Sequence, residues 1–525
     1  MLAIDSIYAP RALTRPHRGG RHVPARQTMS EDGPVLRILC PAAALLGHPS
    51  RLWGSMINRF GGGVLVALVL MAMLAVEWVG LPAGTIGVVL VGGVIALAAV
   101  LLLVRAELRR AGVIAACAAS FTLTWNGWYV GPVRPGDVLV LVALICLVVA
   151  DPSGALRTPP WWVKQLGGVV LLVAAINVAF PADVNYLARR VVLTATGLPA
   201  AQIASVAGTN LAVAFKFVVA VVAIPMAFVG AARVDRSAVR WLAVSFVGGA
   251  ALSGTAASLD YLGVPVGQIL TGIPRVPGRQ LGFSDHPNFL AAGLVLGIPL
   301  AYWLLASRQR HDKLLGLATM PGLLFGVFAS GSRGGAVCVV LALALSVILH
   351  PRTRGYAPGI LLAGAIAVGA IAAFVPSFGL QILRVTRLSG GVATAGSDTV
   401  RAAVGAQGLR DFHHSPIQGI GLQASFDASQ VYIQELASGG LLLFIAMSVY
   451  SLGGIIAAAR LIRRDDLAAG LLAALLATLA LNVFEADLTD RFYYVPAAIL
   501  VALIHIAKRD AVSPQPVVRL QPEPA

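Results

Sequence analysis

The sequence predicts an all-α polytopic membrane protein. Of its 525 residues, 58% are hydrophobic and 12% are charged, and the mean hydropathy is +0.83. A soluble protein of this length would need more charged residues to cover its surface. Apolar segments of roughly 17 to 25 residues, the length that crosses a bilayer, recur from residue 61 almost to the end of the chain.

The predicted membrane-spanning helices number about 12 to 14. In chain order, the fourteen segments are 61–80, 84–104, 111–130, 136–150, 166–180, 208–230, 241–257, 288–306, 314–331, 334–349, 357–377, 438–459, 467–485 and 491–507. The shortest segments approach the lower limit for a span, so twelve or thirteen spans also fit the pattern.

Positive charge predicts the orientation, because Lys and Arg in short loops are retained on the cytoplasmic side. Alternate turns carry 16 Lys and Arg in 50 residues, whereas the short turns at 81–83 and 131–135 carry only Arg134. The basic turns are 105–110, 151–164, 231–240, 307–313, 350–355 and 460–466. Both termini are therefore predicted to be cytoplasmic. The net charge of +16 follows mostly from this bias, so we expect contact with anionic lipid and not with nucleic acid.

Three regions are predicted along the chain. Residues 1–60 are expected to form a basic, disordered cytoplasmic tail, residues 61–507 the transmembrane domain, and residues 508–525 a cytoplasmic C-terminal tail. The four cysteines have neither close pairs nor metal-ligand spacing. We therefore expect no disulfide framework, metal site or cofactor.

Four outward segments are long or unusually polar: 181–207, 258–287, 331–335 and 378–437. The last is the longest, and loops of about 60 residues in compact proteins are usually functional.

Within this loop, Ser397 is predicted to cap a first helix, and Asp427 with Gln430 resembles a capping box for a second. That box would place Ser429 in the first helical turn, where free N–H groups favour an anion. The alternative is that the two helices only cover the membrane domain.

Arg333 lies in the stretch GSRGG, between two apolar segments. An arginine within a span costs roughly 2.5 to 3.5 kcal/mol on insertion scales, and irregular backbone at membrane depth is tolerated where it lines a polar cavity. The alternative is an arginine that anchors a helix end to lipid headgroups, but such anchors are normally on the cytoplasmic side.

More polar side chains are predicted at the same cavity. Arg279, Asp285, His286 and Asn288 immediately precede a span, with Pro287 at its start. Lys216 lies inside another span, where a cation needs a partner or a polar cavity. This excess of outward cations predicts an anionic substrate held at the outer leaflet.

Four motifs resemble those of the O-antigen ligase and O-antigen polymerase superfamily. They are RPGD at 134–137, RQLGFSDHPN at 279–288, GSRGG at 331–335, and the block from Arg401 through HHSPIQGIGL (413–422) to SQVYIQELASGGLL (429–442). The order of these motifs and their common outward placement make the resemblance specific.

The resemblance implies a GT-C type membrane glycosyltransferase that works without a metal. Its donor would be a glycan on undecaprenyl diphosphate, transferred to an acceptor hydroxyl at the outer face of the cytoplasmic membrane. Carried over by residue, the family's diphosphate-binding role falls to Arg333 and Arg401, and we assign Arg279 to the same group. Arginines suit this role because they form bidentate, charge-assisted hydrogen bonds with phosphates. Side chains expected to support them are Ser332, His286, Asn288, Gln430 and Tyr432.

The usual catalytic histidine of this superfamily is absent. Aligned on Tyr432 and Gly440, the chain has Ser429 and Gln430 where histidine and asparagine are usual. A serine hydroxyl does not act unaided as a general base near neutral pH. The candidate replacements are His413, His414, His286, Asp427 and Glu435.

Three functions stay open at this point. The first is a polymerase or ligase of a cell-surface polysaccharide in a bacterial cytoplasmic membrane, with polymerase favoured by the loss of the histidine. Its partners would be a lipid-linked oligosaccharide donor, a glycan or lipid-glycan acceptor, the bilayer and other polysaccharide-assembly proteins. The second is a transporter or flippase of a lipid-linked anionic sugar, and the third is a non-catalytic homologue.

Overall fold

A computed structural model describes most of the chain after residue 107. The described residues are 108–128, 134–150, 159–183, 186–187, 206–273, 278–374, 392–422, 424, 430–485 and 488–512. The predicted spans 61–80 and 84–104 and the predicted tail 1–60 lie outside them. Of the predicted C-terminal tail, residues 508–512 continue the last helix.

The described part of the chain is helical and contains no β-strand, which confirms the predicted all-α class. The helices are α1 (Leu108–Thr122), α2 (Pro135–Ala150), α3 (Trp161–Ala179), α4 (Val206–Val218), α5 (Ile224–Val234), α6 (Ala238–Tyr261), α7 (Val266–Thr271), α8 (Pro287–Leu305), α9 (Arg310–Ser330), α10 (Arg333–Leu349), α11 (Ala357–Phe374), α12 (Val392–His414), α13 (Val431–Leu461), α14 (Asp466–Phe484) and α15 (Val495–Val512). A π-helical turn, Val219–Ala223, joins α4 to α5, and 3-10 turns at Arg354–Tyr356 and Arg491–Tyr494 precede α11 and α15.

Eight helices among the described residues are long and apolar enough to cross a membrane. A ninth span results if α10 and α11, which are bent by 114° relative to each other, are taken as one. The polytopic membrane protein predicted from composition is thereby confirmed. The higher total of about 12 to 14 stays a prediction, since it includes segments outside the described residues and the shorter helices α1 and α2.

Helix α8 lies at the centre of the bundle, since 83% of the residues in its 18-residue apolar stretch are buried. Its neighbours approach one another closely through glycines. A Cβ atom on Gly254 of α6 would lie 2.1 Å from the carbonyl oxygen of Gly322 on α9. Small residues at such contacts let helix backbones pack together in a membrane, where lipid offers no hydrophobic driving force for association.

Because successive helices run in opposite directions, two sets of helix ends meet at opposite ends of the bundle. At one end, the C-terminus of α14 contacts the N-terminus of α10, since Ser332 Oγ donates to Glu485 Oε1 at 3.2 Å. We call this the site end. At the other end, Arg352 contacts Asp466 at 2.6 Å, and Arg240 pairs with Asp312.

A loop at the site end fits into a break in α13. The break is at Gly440, whose φ of 60° and ψ of −154° are not helical. Leu441 N–H donates to the Pro416 carbonyl at 2.8 Å, and Ile420 N–H donates to the Ala437 carbonyl at 2.9 Å. The loop therefore provides hydrogen-bond partners for backbone groups that the broken helix leaves open.

Gly440 is needed at this break for two reasons. Its backbone conformation is one that only glycine readily adopts, and an added Cβ would lie 2.4 Å from backbone atoms of Ile417. We expect Gly440→Ala to destabilise the protein by at least about 1 to 3 kcal/mol, measured as a lower apparent unfolding temperature in detergent. Gly364→Ala in α11 is the control, because a Cβ there would meet nothing within 4 Å. Equal unfolding temperatures for the two variants would contradict this account of the break.

The outer loop differs from the prediction at two points. Ser397 does not cap a helix, because α12 begins at Val392 and runs through it. The predicted capping box is also wrong, since α13 begins at Val431 with Gln430 at its N-cap and without a side-chain cap. Ser429 therefore precedes the helix instead of lying in its first turn, and both Ser429 and Asp427 lie outside the described residues.

Candidate active site

The GSRGG stretch forms a tight junction between α9 and α10. Gly331, with φ of 61°, ends α9 in the left-handed conformation, which costs glycine little. Ser332 is the N-cap of α10, and its Oγ accepts the N–H of Gly335 at 3.2 Å. Arg333 is the first residue of α10 and is half-buried. The junction thus presents Ser332 and Arg333 at the site end of the bundle.

Glu485 is the residue around which the predicted side chains gather. It follows α14 directly and is only 3% exposed. Ser332 Oγ donates to its Oε1 at 3.2 Å, and Asn288 forms a second side-chain hydrogen bond with it. Gly334 makes room for the carboxylate, because a Cβ there would lie 3.1 Å from Oε1.

Arg279 lies on the segment before α8, and its side chain contacts both α9 and α8. Its Nε donates to the Ser330 carbonyl at 2.9 Å, and its Nη2 donates to Asn288 Oδ1. His286 is the N-cap of α8, where its Nδ1 accepts the Asn288 N–H at 3.3 Å. The end of α9 and the start of α8 therefore hold Arg279 beside the residue that contacts Glu485.

Arg401, on α12, acts electrostatically on the same group. Its charge bears on both Glu485 and His286, although it lies more than 80 residues from either along the chain. Glu485 is thus a buried carboxylate on which the charges of both Arg279 and Arg401 act.

Burial shifts the pKa values of Glu485 and His286 in opposite directions. Burial raises the pKa of Glu485 to about 7, and the Arg401 charge is the largest influence that opposes the rise. Burial, together with the charges of Arg279 and Arg401, lowers the pKa of His286 to about 4. At neutral pH, His286 is therefore uncharged, whereas Glu485 is present in both its protonated and its ionised form.

The other predicted histidines lie elsewhere. His413 and His414 are exposed at the C-terminal end of α12, and the His414 ring stacks on Tyr186 at a centroid distance of 3.7 Å. At 1.5 Å of rise per residue, the helix separates them from Arg401 by about 18 Å. The helix therefore keeps both histidines apart from Arg401.

The remaining predicted side chains lie at the start of α13. Gln430 is the N-cap residue, and the Tyr432 hydroxyl donates to the Leu479 carbonyl of α14 at 3.0 Å. Glu435 is buried, at 2% exposure. The Val431 N–H donates to the Glu485 carbonyl at 2.9 Å, so α13 starts directly against Glu485.

A second polar cluster lies at the same end of the bundle, between α2 and α15. Arg491 is bidentate to Asp137, at 2.9 and 2.7 Å. Arg134 contacts Asp490 at 2.5 Å and Asp285 at 3.5 Å. Lys216 lies within electrostatic reach of this cluster. Because Asp285 is adjacent to His286, the cluster contacts the segment that starts α8.

Sequence reasoning missed Glu485, Asp490 and Arg491. Glu485 stands at the end of the apolar segment 467–485 and was counted as part of that span. The signal was nevertheless present, since the turn EADLTDR (485–491) carries four charged residues between two apolar segments on the outward side. Like Arg333, these charged side chains lie between apolar segments, where they need partners or a polar cavity.

No group of three or more His, Cys, Asp or Glu side chains within the described ranges is arranged to hold a metal ion. The cationic groups of the candidate site are guanidinium groups.

Comparison with known families gives one match. A family model described as O-antigen ligase matches residues 317–442, a region that includes Ser332, Arg333, Arg401 and the start of α13. Arg279, His286, Asn288 and Glu485 lie outside the matched region. Comparison with curated proteins finds no match.

Proposed function

We propose, from the match of residues 317–442 to the O-antigen ligase family model, that the protein belongs to the O-antigen ligase and polymerase superfamily and transfers or polymerises undecaprenyl-diphosphate-linked oligosaccharides. The reaction takes place at the outer face of a bacterial cytoplasmic membrane, during assembly of a cell-surface polysaccharide. The absence of a histidine at Ser429 favours a polymerase over a ligase.

The observation that carries this proposal is that the charges of Arg279 and Arg401 both act on one buried carboxylate, Glu485. Arg333 follows Ser332, whose Oγ donates to Glu485 at 3.2 Å, so a third arginine lies in the same junction. A diphosphate carries roughly two negative charges, and arginines bind phosphates through bidentate, charge-assisted hydrogen bonds. Stabilising the charge on the departing diphosphate is the main catalytic effect expected of these arginines.

The charge distribution supports the outward placement of this site. Many described basic residues lie at the end of the bundle away from Glu485, namely Arg233, Arg236, Arg240, Arg308, Arg310, Lys313, Arg352, Arg354, Arg460, Arg463, Arg464, Lys508 and Arg509. Retention of Lys and Arg on the cytoplasmic side makes that end cytoplasmic and the site extracytoplasmic. Both termini are then cytoplasmic, as the loop charges predict.

The direct test uses purified full-length protein in proteoliposomes with an undecaprenyl-diphosphate-linked oligosaccharide. Formation of a new glycosidic bond, undiminished by excess EDTA, is the expected result. Movement of the donor across the bilayer without any new bond would instead support a flippase. Neither bond formation nor transport would support a non-catalytic assembly partner.

Deletion of the gene distinguishes the two enzymatic forms of the proposal. For a polymerase, we expect the surface polysaccharide of the deletion strain to stop at a single repeat. A long polymer retained on its lipid carrier would identify a ligase instead. The measurement is the chain-length ladder of the polysaccharide, separated into carrier-bound and attached fractions.

A further inference from the structure

We propose that Glu485 is the general base that removes the proton of the acceptor hydroxyl. This inference rests on the proposed function, because it concerns the proton transfer within that glycosyl transfer. It assigns to Glu485 the role that the histidine has elsewhere in the superfamily.

The position of Glu485 relative to the absent histidine is the first argument. Aligned on Tyr432 and Gly440, the motif of the superfamily has that histidine at the sequence position of Ser429, two residues before the start of α13. The Val431 N–H donates to the Glu485 carbonyl at 2.9 Å, so Glu485 lies directly against the start of α13. The buried carboxylate is therefore next to the helix that follows the histidine position in the motif.

The groups facing Glu485 come from several elements. Arg401 lies on α12, Arg279 and Asn288 lie at the entry to α8, Ser332 caps α10, and Cys338 lies further along α10. The carboxylate thus lies within electrostatic reach of Arg279 and Arg401, two of the arginines assigned to the leaving group. A base in this position can contact a hydroxyl that approaches the carbon bonded to the diphosphate.

The protonation equilibrium suits the role. A general base works best when its pKa lies near the working pH, and burial raises that of Glu485 to about 7. His286 is a weaker candidate, since its pKa is lowered to about 4 and its Nδ1 already accepts the Asn288 N–H.

Other candidate bases are less well placed. His413 and His414 lie about 18 Å from Arg401 along α12. The charge of Glu435 acts on Tyr432 and Tyr494, and no arginine is among the groups that act on it.

The proposed step is a direct displacement. The acceptor oxygen forms a bond to the anomeric carbon while the bond from that carbon to the diphosphate oxygen breaks. The diphosphate departs with the bonding electron pair, which the arginines stabilise. The acceptor proton moves to Glu485 and then to the released lipid diphosphate or to water, so the carboxylate is regenerated.

Glu485→Gln tests the role in the reconstituted assay. We expect the turnover number to fall by about 10² to 10⁴-fold, with little change in the KM for donor. Wild-type kcat/KM should fall about tenfold per pH unit below pH 7, and this acid limb should disappear in Glu485→Gln. Glu485→Asp, which keeps a carboxylate, should retain the limb at a lower rate.

The matched control is Asp465→Asn, which changes the carboxylate at the opposite end of α14. Asp465 caps that helix by accepting the Leu467 N–H at 2.9 Å, and asparagine is as good a cap. Its activity and pH profile should equal those of wild type.

The outcomes separate this inference from the function on which it rests. If the wild-type protein turns over and Glu485→Gln keeps both the wild-type rate and the acid limb, the base role is refuted but the proposed function is not. A raised donor KM with unchanged turnover would also refute it, because Glu485 would then only position the arginines. If Glu485→Gln does not fold, loss of the acid limb in Glu485→Asp would overturn the role. Wild-type protein that forms no glycosidic bond would refute the proposed function itself.

Discussion

Arg401→Ala should lower glycosyl transfer by at least about 10² to 10³-fold, the loss typical of removing one group that stabilises transition-state charge. Without Arg401, the site loses the cation that acts most strongly on Glu485 and one of the groups proposed to bind the diphosphate. Arg333→Ala is expected to have a similar effect. The measurement is kcat/KM with the lipid-linked donor, together with the loss of long chains from cells that express each variant.

Two further variants sharpen the test of Arg401. Arg410→Ala is the control, because Arg410 lies on the same helix but is exposed and contacts Gln407. It should retain wild-type activity. Arg401→Lys should be intermediate, since lysine keeps the charge but loses the bidentate geometry. Wild-type chain-length ladders from well-folded Arg401→Ala protein would contradict the diphosphate role.

Arg491→Ala should destabilise the protein by about 3 to 5 kcal/mol, the usual cost of leaving one buried charge without its partner. Arg491 is 2% exposed and is the bidentate partner of Asp137, at 2.9 and 2.7 Å. The expected result is a large fall in the apparent unfolding temperature in detergent, or loss of monodisperse protein.

A double variant distinguishes an unpaired charge from simple loss of packing. Arg491→Met combined with Asp137→Leu removes both charges and should recover much of the stability, because such replacements are often neutral or stabilising. Arg236→Ala is the control, since Arg236 and its partner Asp510 are both half exposed or more, and exposed pairs contribute only about 0 to 1 kcal/mol. Equal effects of Arg491→Ala and Arg236→Ala would contradict the assignment.

The transmembrane helices were predictable because an apolar run long enough to cross a bilayer has few alternatives. Pro287 at the start of α8 was also predictable, since proline fits the first turn of a helix. The start of α12 was not, because Ser397 has the sequence features of a cap although the helix runs through it. Local capping signals identify where a helix can begin, whereas packing against the rest of the chain determines where it does begin.

The candidate site was predictable in part for a related reason. Arg279, His286, Asn288, Ser332 and Arg401 were identified from charge in outward segments and from the family motifs. Glu485, which Ser332 contacts and on which Arg279 and Arg401 act, was not predictable in this way because it ends an apolar run and lies outside those motifs. Which side chains lie together in the site depends on which helix ends become neighbours, and the tertiary packing of α8, α10 and α14 determines this.

The loop that fits into the break at Gly440 limits where the chain can change in length. The hydrogen bonds of Pro416 and Ile420 to α13 fix the spacing between the helix that carries Arg401 and the helix that starts against Glu485. An inserted residue between Ser415 and Leu422 would shift this register. Insertions are tolerated where the backbone is exposed and not hydrogen-bonded, which is not the case in this loop. Grafts and length variants in the outer region that leave 415–422 intact therefore preserve the pairing of arginine and carboxylate.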